Sequence, residues 1–254
     1  MRVFENNRII KIISQIRAEQ TYKKIWRCID HGMKTMHNKV RLIFTVLAIL
    51  LYAHNTYGND NGMVFIPAGD FNVGESTKSV YLKGYYIDKT EVSQKDFKEV
   101  MGSANFFFKR DNHPAEQISW NKANKYCQKT GKRLPIELEW EKAAKGGTTT
   151  KYFWGIDPDP KYAWYGGDYD LGHHPVGKKK PNNFGLHDTS GNVWEWTATE
   201  DKTKSKFSGN KQNKRIVRGG AFNVSANLIT SSSRLSLHSN NRLFNVGFRC
   251  VKSS

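Results

Sequence analysis

The spacing of apolar residues predicts three helices in the middle of the chain. In each of them, apolar side chains recur three or four positions apart, which places them on one helix face. Ser93 and Ser119 are suitable N-cap residues for the first two helices, and Pro135 fits the first turn of the third. The predicted helices cover residues 94–101, 120–130 and 135–145, and Glu137, Glu139 and Glu141 are expected to face solvent.

Short strands are predicted on both sides of the helical region. Apolar, β-branched and aromatic residues predict two strands joined by a tight turn within residues 61–74, and one strand over residues 80–88. Residues 148–181 lack periodicity and contain several aromatic side chains, so long ordered loops are expected there. Together these elements indicate one α+β domain from about residue 60 to the end. Later strands are predicted at residues 215–217, 233–237 and 246–252.

The stretch 183–197 combines turn residues, carboxylates and two tryptophans. Asp188 and Glu195 lie seven positions apart with Gly191 between them, so a folded loop could turn their oxygen atoms inward. Carboxylate and backbone carbonyl oxygens, such as that of Val193, are the ligands that calcium prefers. In the alternative interpretation Asp188 caps a turn and the tryptophans are buried wedges. The loop alone leaves both interpretations open.

The beginning of the chain differs from the rest. Residues 1–41 contain ten Lys or Arg and three acidic residues, and the apolar run 42–53 follows. A membrane-spanning helix needs about 20 apolar residues, so this shorter run favours a signal peptide over residues 33–58. Translation from Met33 or Met36 would make residues 1–32 a non-native or dispensable extension. A signal anchor with a basic cytoplasmic tail is the alternative.

Charge and cysteine content fit an exported protein. The formal net charge is +17, and removal of residues 1–57 leaves 30 basic and 20 acidic residues. These basic residues are dispersed, so nucleic acid is not predicted as a partner. Cys28 precedes the predicted cleavage site, which leaves Cys127 and Cys250. Two cysteines in an exported domain indicate a disulfide, with two free thiols or a catalytic cysteine as the alternative.

Six blocks of the sequence resemble the formylglycine-generating enzyme family, the sulfatase-modifying factor domain. In chain order they are MVFIPAGDFNVG, YYIDKTEVS, YCQKTGKRLPIELEWEKAAKGG, NNFGLHDTSGNVWEW, RIVRGGAF and VGFRC, and they extend over nearly all of residues 61–252. The resemblance implies a C-type-lectin-like architecture with little regular secondary structure. It also implies structural calcium held by Asp188, Gly191, Val193 and Glu195.

The resemblance carries two further implications. Family members have a disulfide between the cysteines that correspond to Cys127 and Cys250. A second family calcium site needs an asparagine where Trp164 lies here, so a second ion is not expected.

The catalytic chemistry of the family is not expected in this chain. Formylglycine formation needs a substrate-facing cysteine pair that binds copper, because thiolate is the ligand that monovalent copper selects. Asn223, Val224 and Ile229 lie near the expected places, and no cysteine precedes Cys250 in this interval. Copper and iron are therefore not predicted as cofactors. Iron-dependent relatives use a histidine cluster, whereas the histidines here are scattered in sequence: His113, His173, His174, His187 and His238.

These features predict an exported binding or scaffold module, periplasmic or extracellular. Its serine- and asparagine-rich segment 223–245 and the loop 106–110 would meet a protein or glycan partner. The alternative is an oxidoreductase-type modifying enzyme of the formylglycine-generating or nonheme iron family with altered chemistry. Membrane contact is expected only if the leader is retained. The candidate partner-binding residues are Asn223, Ser225, Asn227, Arg234, His238, Asn240 and Asn241.

Overall fold

The computed structural model describes residues 62–167, 172–202 and 213–254, and these residues contain nine short strands and three helices. The strands are β1 Met63–Ile66, β2 Gly69–Asn72, β3 Ser79–Leu82, β4 Tyr85–Asp88, β5 Trp194–Glu200, β6 Lys214–Arg218, β7 Arg234–His238, β8 Val246–Gly247 and β9 Val251–Ser253. The helices are α1 Gln94–Met101, α2 Trp120–Lys129 and α3 Glu137–Lys145, and a short 3-10 helix spans Ala226–Leu228. The predicted extension and leader, with Cys28, lie outside the described residues.

The described strands form three small sheets. One has the order β1-β4-β9, the second pairs β2 with β3, and the third has the order β7-β6-β5-β8. β5 and β8 run parallel, whereas the other pairs are antiparallel. The last strand of the chain therefore completes a sheet that begins with the first described strand. None of the described helices is long and apolar enough to span a membrane.

All three predicted helices are present, and local contacts explain where they begin and end. Ser93 accepts the backbone N–H of Asp96 at 3.1 Å and so caps α1. α3 begins two residues later than predicted, because the Glu139 carboxylate accepts the N–H of Ile136 at 2.9 Å. Gly146 ends α3 with φ 58°, a left-handed conformation that favours glycine.

The prediction that the glutamates of α3 face solvent was wrong. Glu139 and Glu141 are 8% and 2% exposed. Glu139 forms two hydrogen bonds with Arg133, at 2.6 and 2.7 Å. Glu141 accepts a 2.8 Å hydrogen bond from Arg218 on β6 and lies 3.0 Å from Lys145. Burial is tolerated because each carboxylate meets a cation. Lys145 lies at the i+4 position of the same helix as Glu141, whereas Arg133 and Arg218 come from outside the helix.

Two predicted strands are each divided into two. The strand predicted over residues 80–88 breaks after Leu82, where a Cβ on Gly84 would lie 2.9 Å from the Phe65 ring. The strand predicted over residues 246–252 becomes β8 and β9, which belong to different sheets. Arg249 and Cys250 lie between them and are both 0% exposed, so this link turns its side chains into the interior.

The largest core cluster is centred on aromatic rings from α1, α2 and the link between β8 and β9. The Tyr126 ring lies 5.5 Å from Phe97 and 5.4 Å from Phe248. Next to these rings a disulfide joins Cys127 on α2 to Cys250, with 5.7 Å between their Cα atoms. Residues Asp60–Ser254 form one compact unit around this core.

Candidate partner-binding surface and buried acidic loop

The loop before β5 is held in one conformation by its backbone. Asp188 and Asn192 have positive φ angles of 55° and 57°, and Gly191 has one of 79°. A Cβ on Gly191 would overlap the carbonyl oxygen of Trp164, which accepts the N–H of Asn192 at 3.0 Å. Position 191 therefore requires glycine, for both its left-handed backbone and this close approach.

Glu195 on β5 forms a buried ion pair with Arg249. Each carboxylate oxygen of Glu195 accepts a hydrogen bond from Arg249 at 2.7 Å, and one of them also accepts the indole N–H of Trp140 at 2.7 Å. Arg249 directs its other N–H groups to three backbone carbonyl oxygens. Glu195 and Arg249 are both 0% exposed, so neither charge is solvated by water.

Two more carboxylates, Glu91 and Asp188, interact electrostatically with this pair. One oxygen of Glu91 accepts a 3.0 Å hydrogen bond from Asn192, and one oxygen of Asp188 accepts the N–H of Gly177 at 2.6 Å. Their other oxygens, Glu91 Oε2 and Asp188 Oδ1, are buried without a hydrogen-bond partner in the described residues. Burial, and after it the charge of Asp188, raises the pKa of Glu91 well above its usual range.

The residues of this loop suit a hard divalent cation. Asp188 Oδ1 is free, and Glu195 Oε1 accepts one hydrogen bond although a carboxylate oxygen has two lone pairs. In their ionised forms Glu91, Asp188 and Glu195 would carry three negative charges against one positive charge on Arg249, and a calcium ion would balance this difference of two. Within the described residues, no group of three or more His, Cys, Asp or Glu is placed to hold a metal, so the predicted set depends on two carboxylates and the carbonyl groups of Gly191 and Val193.

Sequence reasoning missed Glu91 in this cluster. The sequence feature that could have indicated its burial is its position directly before Val92, at the end of a block rich in aromatic and β-branched residues. Glu91 is 1% exposed and lies 101 positions from Asn192, its hydrogen-bond partner.

A cluster of phenylalanine rings reaches the surface where loop 106–110 meets segment 223–245. The ring of Phe244 lies 5.7 Å from Phe107 and 6.2 Å from Phe108, and Phe222 lies 6.1 Å from Phe244. Phe107 is 58% exposed. The fold therefore brings together the two segments that were predicted to meet a partner. We call this region the aromatic face; it comprises Phe107, Phe108, Phe222, Phe244, Asn223 and Asn245.

Amide and basic side chains border the aromatic face. Asn245 donates a hydrogen bond to Asn223 at 3.1 Å, which links the two ends of segment 223–245. Lys109, Arg110 and Arg242 are exposed, and no carboxylate of the described residues lies within 4.0 Å of their charged groups. The neighbouring acid is neutralised, because Asp111 pairs with Lys98. The surface is thus aromatic and positively charged.

Of the three residues near the expected places of the family cysteines, Val224 and Ile229 have apolar side chains and Asn223 has an amide. Ile229 is 0% exposed and belongs to a cluster with Tyr152 and Ala163. Val224 packs against the same cluster. Aliphatic side chains offer no ligand to copper, so these two positions contribute packing where thiolates would contribute chemistry.

Of the seven residues predicted to bind a partner, Asn223 belongs to the aromatic face. Arg234 begins β7 and forms a 2.8 Å ion pair with Glu137, whereas His238 ends the same strand, about 13 Å away by strand geometry. The fold therefore spreads the predicted set over several places. The others lie around the 3-10 helix and in the turn after β7: Ser225, Asn227, Asn240 and Asn241.

Two histidines and a glutamate form a buried chain beside the aromatic face. The Nδ1 atoms of His113 and His173 are 2.9 Å apart, and Nε2 of His173 lies 3.8 Å from Glu116. Glu116 in turn accepts the backbone N–H groups of Phe107 and Phe108. The histidines are scattered in sequence as described above, but the fold brings this pair together. His113 faces Nδ1 of His173, whereas Glu116 faces Nε2 on the other side of the same ring. The three groups therefore form a row and do not converge on one point.

Burial favours the uncharged forms of these three groups. It lowers the pKa of His113 to about 4, with further lowering by His173 and Arg110, and lowers the pKa of His173 to about 4. It also raises the pKa of Glu116 to about 7. In a neutral histidine pair, one of the facing Nδ1 atoms must carry a proton and donate it, and the other must accept it. The tautomer of one ring therefore determines the tautomer of the other.

Acidification is expected to destabilise the domain through the histidine pair. The folded-state pKa of each histidine is below 6.5, so the unfolded chain takes up a proton first as the pH falls. The contribution of each histidine to the free energy of unfolding is therefore complete above pH 6.5 and is lost as the pH falls towards 4. Glu116 acts in the opposite sense, because its contribution is complete below pH 4.5 and is lost as the pH rises through about 7. Between pH 4.5 and 6.5 two histidines oppose one glutamate, so the net slope is up to about 1.4 kcal/mol per pH unit.

Thermal unfolding measured between pH 4.5 and 6.5 checks this expectation. His173→Gln should flatten the dependence on pH, whereas His238→Gln, which changes an exposed histidine, should leave it unchanged. Arg110 and His174 also repel a proton on His113, so Arg110→Gln should weaken the dependence in part. An equal pH dependence in wild type and His173→Gln would refute the assignment.

Residues 51–254 match the family model of the sulfatase-modifying factor enzyme 1-like domain, and the chain belongs to this family. The formylglycine-generating enzyme of Streptomyces coelicolor is 33% identical over 170 residues, which cover 57% of this chain and 54% of that protein. The inactive C-alpha-formylglycine-generating enzyme 2 of Mus musculus is 38% identical over 161 residues, which cover 56% of this chain and 49% of that protein. The chain thus spans about half the length of these two curated relatives.

Two other similar proteins cover more of the chain. The chaperone protein LppX of Paenibacillus barcinonensis is 28% identical over 282 residues, which cover 84% of this chain and 98% of that protein. Among solved structures, Treponema denticola variable protein 1 is 26% identical with a TM-score of 0.68, over 76% of this chain and 95% of that one. The predicted α+β fold of the formylglycine-generating enzyme family is therefore confirmed.

Proposed function

We propose that this family member is an exported binding or scaffold module that holds a protein or glycan partner on the aromatic face. The observation that carries this proposal is the meeting of loop 106–110 with segment 223–245 around Phe107, which is 58% exposed. An exposed aromatic side chain on ordered loops is a common anchor in binding surfaces. Asn223, Val224 and Ile229 lie near the expected places of the family thiols and carry no thiol, which favours binding over thiol oxidation.

The names of two relatives agree with a binding role. The murine relative is named as an inactive enzyme, and the relative that is similar along 84% of this chain is named as a chaperone protein. Export is part of the proposal and rests on the predicted signal peptide over residues 33–58.

Charge around the aromatic face narrows the proposed partner. Lys109, Arg110 and Arg242 are exposed beside it, and Lys98 neutralises Asp111. A partner that presents carboxylates or other anionic groups next to an apolar patch would complement this surface. Electrostatic attraction of this kind raises the association rate and weakens as salt is added.

A photo-crosslinking amino acid at position 107 would identify the partner in exported fractions of the native cell. The matched control is position 81, because Tyr81 is 61% exposed but lies on the β2–β3 hairpin. A partner captured equally from both positions would speak against the aromatic face.

Substitution at the aromatic face is expected to weaken binding of the captured partner. Phe107→Ala should raise the Kd by about 30-fold, the effect of losing an interface hot spot. Arg110→Glu should slow association and reduce the salt dependence, whereas Tyr81→Ala should change neither quantity. Titration calorimetry and binding kinetics with purified partner measure these effects. Wild-type affinity in Phe107→Ala would reject the proposed surface.

We also propose that calcium stabilises the loop before β5. Asp188 and Glu195 would hold the ion with their carboxylates, and Gly191 and Val193 with their carbonyl oxygens. The free Asp188 Oδ1 and the burial of three carboxylates, Glu91, Asp188 and Glu195, with the single cation of Arg249 support this assignment. The role of the ion would be structural, since it would neutralise buried carboxylates and fix the start of β5.

The buried chain of His113, His173 and Glu116 favours one alternative function. Linked proton positions beside an open surface could serve a modifying enzyme with altered chemistry. Oxygen uptake by the purified domain with a cysteine-containing peptide, in the presence of copper or iron, tests this alternative. Turnover that His173→Gln abolishes would establish an enzyme, whereas no turnover with either metal would favour the binding module.

A further inference from the structure

A cavity of about 360 Å³ lies between the β2–β3 hairpin, the end of α3 and Phe184. This volume is within the range of small-molecule sites. Its lining includes two aromatic residues, Phe71 and Phe184, two hydroxyl residues, Ser79 and Thr149, two lysines, Lys142 and Lys145, and one acidic residue, Asp70. The cavity is separate from the aromatic face in its lining residues, so its role does not depend on the proposed partner-binding surface.

The two lysines that line the cavity differ in how their charges are balanced. Lys145 is 5% exposed and directs its ammonium group to the carbonyl oxygens of Asn72 and Gly74, at 2.6 Å each, and to Glu141 at 3.0 Å. These three acceptors use all three N–H groups of its side chain. Lys145 therefore acts as a structural link between α3 and the hairpin.

Lys142 retains an unused donor. It is 6% exposed, and its ammonium group donates to the carbonyl oxygens of Pro67 and Gly69 at 2.8 Å each. In the described part of the chain, no third acceptor and no carboxylate within 4.0 Å is present for this group. Burial lowers the pKa of Lys142, and the charge of Asp70, which also lines the cavity, opposes this. A carboxylate bound in the cavity would supply the missing acceptor for the third N–H.

We propose that this cavity binds an acidic sugar, a hexuronate or the terminal hexuronate of a glycan. The sugar carboxylate would accept the third N–H of Lys142. Its ring would lie against Phe71 and Phe184, since the apolar face of a sugar packs on aromatic rings and its hydroxyl groups need polar partners. Ser79 and Thr149, two exposed residues that line the cavity, offer hydroxyl groups for such contacts.

Titration of the purified protein with glucuronate tests the site, with glucose as the neutral match and acetate as the charged group without a ring. We expect saturable binding of glucuronate, with glucose and acetate each weaker by at least about tenfold, the loss expected for one charge-assisted hydrogen bond or one packed ring. Methyl glucuronide, which mimics a terminal residue, should bind as tightly as glucuronate if a glycan is the source. Weaker binding of the glycoside would assign the site to the free sugar acid.

Variants separate binding from folding. Lys142→Met should weaken glucuronate binding by at least about tenfold. Because this change also removes contacts to the β1–β2 turn, Thr149→Val provides a second variant that leaves those contacts intact and should also weaken binding. Ser103→Ala, at an exposed serine outside the cavity, and Phe107→Ala, on the aromatic face, should bind as wild type does. No saturable binding, equal binding of glucose, or unchanged affinity in a folded Lys142→Met or in Thr149→Val would each overturn the proposal.

Discussion

Glu195→Ala is expected to lower the free energy of unfolding by about 3–5 kcal/mol, the usual cost of removing one partner of a buried ion pair. The change leaves the guanidinium of Arg249 buried without either of its two 2.7 Å carboxylate contacts, and it removes the acceptor of the Trp140 indole N–H. Chemical denaturation of the purified domain measures the loss. Glu200→Ala, at the half-buried end of the same strand, is the matched control and should cost far less. Equal unfolding free energies for wild type and Glu195→Ala would contradict the assigned role.

The same measurement with calcium or a chelator separates the ion pair from the proposed ion. At a calcium concentration of about 100 times the Kd, a bound ion would add about 2.7 kcal/mol to the stability of the wild type. Asp188→Ala should lose this gain while it keeps the Glu195–Arg249 pair. Glu195→Ala should lose both the calcium-dependent gain and the ion pair. In chelator, its free energy of unfolding should therefore fall further below that of the wild type than the free energy of Asp188→Ala does. A wild type with the same stability in calcium and in chelator would leave the loop as a structural turn.

Local sequence signals predicted the helices because the ends of a helix depend on neighbours within about four positions. Ser93 and its bond to Asp96 are an example, and α1 has the predicted bounds. The division of the strand predicted over residues 80–88 depends on a contact with another strand. Gly84 lies against the ring of Phe65 on β1, and no pattern within residues 80–88 contains that contact.

Pairs of distant charged residues could not be predicted. The chain has 40 basic and 23 acidic residues, so nothing local selects which carboxylate meets which cation. The fold joins Glu195 to Arg249 across 54 positions and Glu141 to Arg218 across 77. The burial of Glu141 in α3 was missed because its contact with Arg218 depends on the packing of α3 against β6, although its other partner, Lys145, lies only four positions away.

The candidate surface was predictable at the level of segments. Composition and family resemblance indicated loop 106–110 and segment 223–245, which meet at the aromatic face. Individual residues were less predictable, because segment 223–245 contains a strand. β7 extends by about 3.3 Å per residue, which carries His238 away from Arg234. Phe244 packs edge-on against Phe222 and also contacts Phe107, so the rings and not the polar residues determine the face.

Loss of the disulfide between Cys127 and Cys250 is expected to lower the free energy of unfolding by about 2–5 kcal/mol, because the bond closes a loop of 123 positions in the unfolded chain. The bond also holds the link between β8 and β9 against α2, so its removal should loosen β9 and the position of Arg249 on the same link. Denaturation of the Cys127→Ser/Cys250→Ser double variant measures the cost, and reductant should destabilise the wild type but not this variant. Mass spectrometry after alkylation without reductant provides the direct check: an unchanged mass at both cysteines is expected, and alkylation of either would show that the bond is absent.

Because the double variant keeps Glu195, its effect on the free energy of unfolding should add to that of Glu195→Ala only if the link between β8 and β9 remains in place without the disulfide. A combined loss smaller than the sum would show that the disulfide acts partly by positioning Arg249 for its carboxylate.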